Sequence, residues 1–338
     1  MNQEKQNTLA KTIQKSVIPD QRPYRLLAEK LGSSEEEVVA QIKSWKEKGE
    51  LREISAVMEG EYLGYESALV CAKVLPSEIE KTAEIISKHP TVTHNYERNH
   101  EFNLWFTIAS PSSEGIEKEL NILSSLTGIE KFHPLRKNAV FKIGVVMDLE
   151  SKKNISEKTE IKTDIKKLEI NEKNIRLIRA VQKDLPAEKN AFEILAGENS
   201  CDEEELIEFI KQNTGKAIRK YIGTFMHRKL GIRSNGMVVW NISPEHTEAS
   251  GNIIASFPDV SHCYSREAFD EFPYTLYSML HGPSPEYIRE TAEKISEQIN
   301  CKDYIILEST REFKKTRLRY FLKEHDEWVS RHDELKSH

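Results

Sequence analysis

HPTVTHNYER at residues 89–98 returns as FPDVSHCYSR at residues 257–266. The offset is 168 positions, and it extends outward in both directions. IQK at 13–15 matches VQK at 181–183, and PYRLLAEKLGSSEEEVVAQIK at 23–43 matches AFEILAGENSCDEEELIEFIK at 191–211. With a gap of one residue LGY at 63–65 matches LGI at 230–232, and after a small insertion NLWFTI at 103–108 matches TLYSML at 275–280. Self-similarity over nearly the whole of each half marks a duplicated chain. The stretch between the halves, 150–170, is almost all charged or polar and has no aromatic residue. It can bury little, and is expected to be a mobile tether. Fused copies of one unit are expected to face each other as a pseudo-two-fold dimer.

The spacing within one copy predicts its fold. Tyr24, Leu26, Leu27 and Leu31, then Val38, Val39, Ile42 and Trp45, recur at helical intervals on either side of Gly32-Ser33-Ser34. Ser34, with Glu37 three residues on, is a helix N-cap. Helix, tight turn, helix and the short strand LREISAVM make a winged helix-turn-helix. The pattern then predicts strand 67–75, helix 77–88, strand 91–98, strand 102–109, helix 112–126 and strand 129–146. This β-α-β-β-α-β order is ferredoxin-like, with both helices on one face of an antiparallel sheet. The expected domains are a winged helix at 1–58, a ferredoxin-like domain at 59–150, a linker at 151–170, a second winged helix at 171–226 and a second ferredoxin-like domain at 227–338. The class is α+β. The bare face of each sheet (Phe102, Leu104, Trp105 or Phe106; Tyr274, Leu276, Tyr277) is expected to pack face to face with the other. In the second winged helix Glu198-Asn199-Ser200 stands for Leu31-Gly32-Ser33, so that copy is expected to be purely structural.

Composition narrows the function. A chain of 338 residues with 38% hydrophobic and 31% charged residues reads as a multidomain globular protein. No apolar run approaches the roughly 18 residues that span a bilayer, and no secretory signal is recognised, so a soluble cytoplasmic protein without a membrane partner is expected. Cys71, Cys201, Cys263 and Cys301 are scattered singly and read as buried thiols rather than a metal site. The net charge of -6 argues against a phosphate-backbone binder. The recognition helices begin with triple acidic runs, Glu35-Glu36-Glu37 and Glu203-Glu204-Glu205, which disfavour DNA.

Strand periodicity of two sets His94, Tyr96 and Arg98 on one face, and His262, Tyr264 and Arg266 on the equivalent one. If both faces line the space between the sheets, imidazoles active near neutral pH, guanidiniums suited to carboxylates and aromatic walls for a flat ligand share one cleft. No GxGxxG after a strand and no P-loop is found.

Each half resembles the Lrp/AsnC family of regulators. HNYERNHEFNLWFT (94–107) and VSHCYSREAFDEFPYTLYSMLHG (260–282) look like the signature segments of the two siroheme decarboxylase subunits, so the chain resembles a fused two-subunit form of that enzyme family. The resemblance implies a lyase that removes two acetate carboxylates of siroheme as carbon dioxide, giving didecarboxysiroheme in alternative haem or haem d1 biosynthesis. No cofactor is implied beyond the iron of the substrate, and no metal site. The catalytic candidates are His94, His100 and His262. The substrate-binding candidates are Tyr96, Arg98, Trp105, Tyr264, Arg266 and His281, with Arg311, Lys314 and Arg317 from the basic run 311–319. His100 and His281 lack support from the repeat and rest on the resemblance. The other readings are an Lrp/AsnC-type DNA-binding regulator and a non-catalytic tetrapyrrole carrier, and further self-association stays open.

Against these stand blander roles. His89, His133, His227 and His325 read as satisfied structural histidines. The basic run 311–319 also fits a solvated edge strand whose charges block aggregation.

Overall fold

The computed structural model describes residues 1–112, 115–143, 146–147, 154–155, 166–226 and 234–332. The first half runs α1 (Gln3–Lys15), α2 (Pro23–Leu31), α3 (Glu35–Glu47), β1 (Leu51–Met58), β2 (Tyr65–Ala72), α4 (Ile79–Lys88), β3 (His94–Arg98), β4 (Leu104–Pro111), α5 (Ile116–Thr127) and β5 (His133–Lys142). Two short strands, β6 (Val146–Met147) and β7 (Asn154–Ile155), pair with each other. The second half runs α6 (Glu172–Val181), α7 (Ala191–Gly197), α8 (Glu203–Asn213), β8 (Ile218–Phe225), β9 (Ser234–Trp240), α9 (Thr247–Ser256), β10 (Val260–Arg266), β11 (Leu276–Gly282), α10 (Pro285–Gln298), β12 (Tyr304–Lys315) and α11 (Lys323–Arg331).

Local signals set the helix ends. Ser34 Oγ accepts the Glu37 amide at 3.2 Å while the Glu37 carboxylate accepts the Ser34 amide at 3.2 Å, a closed capping box. In the second copy Asp202 accepts the Glu205 amide at 3.0 Å. Gly32 ends α2 with φ +55, in the left-handed region, and the residue with that backbone in the second copy is Ser200, φ +54, which the 168-position offset sets against Gly32, one place on from the Asn199 of the triplet comparison. Losing the glycine has therefore not changed the turn. The serine adopts the same backbone, at a steric cost that glycine avoids.

The chain forms two compact units, and both cut across the repeat. One contains Met1–Gly64, Ile165–Leu230 and Arg319–Leu322; the other contains Tyr65–Asp164, Gly231–Leu318 and Lys323–His338. The first unit joins the two winged helices. Instead of each wing closing on itself, β1 pairs antiparallel with β8, Ala56 opposite Tyr221. Ile13, Tyr24, Ile42, Phe192, Leu206 and Ile210 are buried there. Asp184 accepts the Ile54 amide and Lys46 Nζ, both at 2.8 Å, and Tyr24 donates to Pro186 O at 2.7 Å. These bonds tie the first copy to the segment leading into α7. The expected tether at 151–170 lies largely outside the described residues; within it, the Leu168 amide donates to Tyr62 O at 2.8 Å.

The second unit departs from two sheets packed face to face. Its eight long strands close into one barrel in the order β10-β11-β9-β12-β3-β4-β2-β5. The reason lies in the last strand of each half. β5 pairs with β2 through 133–136, then overruns to pair with β10 through 137–142. β12 pairs with β9 through Tyr304–Glu308, then with β3 through Ser309–Lys315. Each overrun covers an edge that an isolated sheet would expose, and closure leaves no edge. β12 is thus interior to the barrel wall rather than an edge strand. Leu104, Phe106 and Leu276 pack in the clusters under the helices, whereas Phe102, Trp105 and Tyr277 share a third cluster with Leu69, Met237 and Phe272 on the opposite face of the strands.

Candidate functional site

The third cluster opens into a cavity of about 290 Å³, whose lining includes His94, Tyr96, Arg98 and Trp105 from one half and His262, Tyr264, Arg266 and Tyr277 from the other. Both His-x-Tyr-x-Arg triplets therefore meet in one space. Their internal geometry is duplicated. The His94 and Tyr96 rings lie 6.2 Å apart, those of His262 and Tyr264 6.1 Å. The Arg98 guanidinium sits 5.6 Å from the Tyr96 ring centre, and Arg266 5.2 Å from that of Tyr264.

Each arginine is anchored on the final strand of the other half. Arg98 Nη1 donates to Leu307 O at 2.7 Å, and Arg266 Nη1 to Leu135 O at 2.9 Å. The Nε of each is buried and has no hydrogen-bond partner among the described residues. Burial lowers the Arg98 pKa to about 10 and lowers that of Arg266 as well. A buried cation with an unused donor is costly, and a carboxylate ligand would relieve it.

The histidines have hydroxyl neighbours. His94 Nδ1 lies 3.0 Å from Thr93 Oγ1, which is 2.7 Å from Thr107 Oγ1. His262 Nδ1 lies 2.9 Å from Ser261 Oγ, which is 2.7 Å from His281 Nε2. His281 is thus one hydroxyl removed from the cavity.

Four candidates are elsewhere. His100 does not line the cavity: its Nδ1 accepts the Phe102 amide at 3.1 Å, its ring lies 5.5 Å from that of Phe272, and burial lowers its pKa. Arg311 donates to Glu97 at 2.9 Å, with Glu80 at 3.8 Å. Lys314 donates to Ser87 O and His89 O at the end of α4, at 2.7 and 2.9 Å. Arg317 follows β12 and is not among the lining residues. Irregularities in β12 between Ser309 and Arg311 and between Glu312 and Lys314 break its alternation, and Arg311 and Lys314 meet Glu97 and the end of α4. Tyr277 and Ser261 were not among the candidates, although the alignment of NLWFTI with TLYSML already puts Tyr277 opposite Trp105.

His89, Glu119 and His325 form a second buried cluster, the one group of three metal-capable side chains among the described residues. His89 Nε2 is 3.0 Å and His325 Nε2 2.8 Å from the Glu119 carboxylate. His89 Nδ1 accepts the Thr91 amide at 3.2 Å, which puts the ring proton on Nε2, facing Glu119. These hydrogen bonds clamp α11 to Glu119 of α5 and to His89 at the end of α4. His133 stacks on Phe269 at 3.9 Å, and His227 lies outside the described residues.

Comparison with known proteins gives the same picture. The family model described as the AsnC-like ligand binding domain matches residues 62–142 and 229–314, and that of the siroheme decarboxylase NirDL-like HTH domain matches 10–52. Siroheme decarboxylase of Hydrogenobacter thermophilus is 34% identical over 95% of this chain and 96% of its own length. The siroheme decarboxylase beta subunit of Methanosarcina barkeri is 39% identical over 43% of this chain and 97% of its own. The crystal structure of siroheme decarboxylase NirDL in co-complex with an iron-uroporphyrin III analogue superposes with a TM-score of 0.80 at 29% identity, covering 98% of this chain and 99% of that one. With full-length similarity at this level, and both halves of the duplication included, the chain belongs to the siroheme decarboxylase family.

Proposed function

We propose that this chain removes two acetate carboxylates from siroheme as carbon dioxide, yielding didecarboxysiroheme. The observation that carries this reading is the cavity itself: two buried arginines with unused Nε donors and two histidines at matched positions line the same space. An iron tetrapyrrole bearing eight carboxylates supplies the anions that those guanidiniums lack. It also supplies a flat face for Tyr96, Tyr264 and Trp105. The cavity is at the small end for a ligand site, so the macrocycle must widen it or leave part of its rim outside. Its iron belongs to the substrate.

Loss of carbon dioxide leaves an electron pair on the former methylene carbon, which needs a proton. His94 and His262 line the cavity and suit that task near neutral pH, with a contribution on the order of 10²–10⁴-fold. His100 touches none of this directly. The test is anaerobic incubation with siroheme, with mass spectrometry for the loss of two carbon dioxide units. A His→Ala variant at whichever of the two gives the proton is expected to bind siroheme with its normal absorption while turnover falls. Wild-type turnover in both would remove these residues from the mechanism. A chain that binds siroheme but releases no carbon dioxide would be a carrier.

A further inference from the structure

We propose that the two halves of the cavity do different work: the second half delivers the proton, through His262 held by Ser261 and His281 and through a substrate contact from Tyr277, while the first half holds the ligand. This rests on the decarboxylase reading above.

The halves match in backbone, and two of their differences in chemistry bear on the reaction. In the register of the barrel, Tyr96 faces Trp105 and Tyr264 faces Tyr277, so Trp105 and Tyr277 are counterparts. The indole N–H of Trp105 is already committed, donating to Phe102 O at 2.6 Å. Tyr277 is 2% exposed, and its hydroxyl has no hydrogen-bond partner among the described residues. It lines the cavity with its ring centre 5.8 Å from the Arg266 guanidinium. Tyr277 and Arg266 stand on the paired strands β11 and β10, and a carboxylate entering a widened cavity would satisfy both of their unpartnered donors. The first half has only the guanidinium.

The second difference is behind the histidines. The chain from His94 runs through Thr93 to Thr107 and ends in a hydroxyl. The chain from His262 runs through Ser261 and reaches an imidazole, that of His281. Ser261 is buried, and Met279 O, 3.3 Å from its hydroxyl, is a longer alternative to His281 as acceptor of the one serine O–H. A hydroxyl cannot take up a proton near neutral pH; an imidazole can. When His262 is protonated, its Nδ1–H donates to Ser261 Oγ, and the serine O–H donates to His281. That chain orients the ring and stabilises the imidazolium. In the reaction the bond to the carboxylate carbon breaks, carbon dioxide leaves, and the electron pair stays on the methylene carbon. This pair takes a proton from an N–H of His262, so each acetate consumes one proton and becomes a methyl group. Tyr277 and Arg266 hold the departing acetate toward His262, and Ser261 and His281 are positioning residues.

The test is steady-state turnover of siroheme under anaerobic conditions by the full chain, read as kcat and KM, with both decarboxylation products resolved by mass. Ser261→Ala and Tyr277→Phe are expected to lower kcat by about tenfold or more, slowing both losses of carbon dioxide together, with the bound siroheme spectrum kept. Ser261→Thr, which keeps the hydroxyl, is expected to restore kcat. Thr107→Val, in the first half, is expected to act on KM instead. Equal kcat losses from Thr107→Val and Ser261→Ala would overturn the proposal, as would wild-type kcat in Ser261→Ala and Tyr277→Phe. So would accumulation of a singly decarboxylated product when only one half is altered, since each half would then serve one acetate. Wild-type protein that binds siroheme and releases no carbon dioxide would overturn the decarboxylase reading and this proposal with it. The other outcomes overturn the proposal alone.

Discussion

Arg98 and Arg266 each spend one nitrogen on a backbone carbonyl of the opposite half and keep another, buried, without a partner. Alanine at either position removes a charge-assisted contact to a ligand carboxylate worth about 1.5–3 kcal/mol, so tetrapyrrole affinity is expected to fall by roughly ten- to a hundredfold. Lysine is expected to recover only part of this, having no planar fork. Titration by absorbance checks both, and unchanged affinity in the two alanine variants would place the carboxylates elsewhere. The triplets were legible because strand alternation is a local rule: if His94 faces a cavity, so do Tyr96 and Arg98. Arg311, Lys314 and Arg317 were not legible in that way. Charge density drew attention to them, but Glu97 and the carbonyls at the end of α4 take up Arg311 and Lys314.

At the scale of elements, the helix ends carry two expectations. Ser200 holds a left-handed turn that Gly32 holds in the first copy, so Ser200→Gly is expected to raise stability by about 1 kcal/mol, measurable as a higher denaturant midpoint. No gain would mean that the serine side chain earns its place in some other way. The acidic starts of the recognition helices are taken up locally. In α3, Glu35 pairs with Arg22, Glu36 with Lys189, and Glu37 closes the capping box. The clamp on α11 adds a pH dependence. Burial alone would raise the Glu119 pKa, but hydrogen bonds from His325 and His89 hold it at about 2, against roughly 4.3 in an unfolded chain. Burial also lowers the His89 pKa, outweighing the pull of Glu119. For both groups the unfolded chain binds more protons, so stability rises with pH. On acidification it is lost first below roughly 6.5, as unfolded His89 protonates, and again from about 4.3 toward 2. The melting temperature is expected to drop across both windows, with the lower step missing in Glu119→Gln. A flat profile from pH 7 to 3 would show that the clamp contributes nothing.

At the scale of the molecule, both compact units are built from both halves of the repeat. Strand pairing of β1 with β8, β5 with β10 and β12 with β3 is what joins the halves. A protease site placed within 156–165 and cleaved should therefore leave the two fragments co-eluting on size exclusion at low micromolar concentration. Their separation would show that the pairing cannot hold without the covalent link.

The duplication, the element order and the two triplets follow from the sequence by itself, because repeats, helical and strand periods and capping residues act over a few positions. How the halves join does not. β5 and β12 each pair with two strands, and nothing within a strand says which edge its overrun will meet. Closure of the barrel settled that choice, and with it the use of the inner face as a shared cavity. The same holds for Tyr277 and Ser261, ordinary strand residues in the sequence. Their meaning comes from a hydroxyl left without a partner in one case and from a neighbour twenty positions away, His281, in the other. Hydrogen bonds of that kind are decided only once strands from different parts of the chain lie side by side.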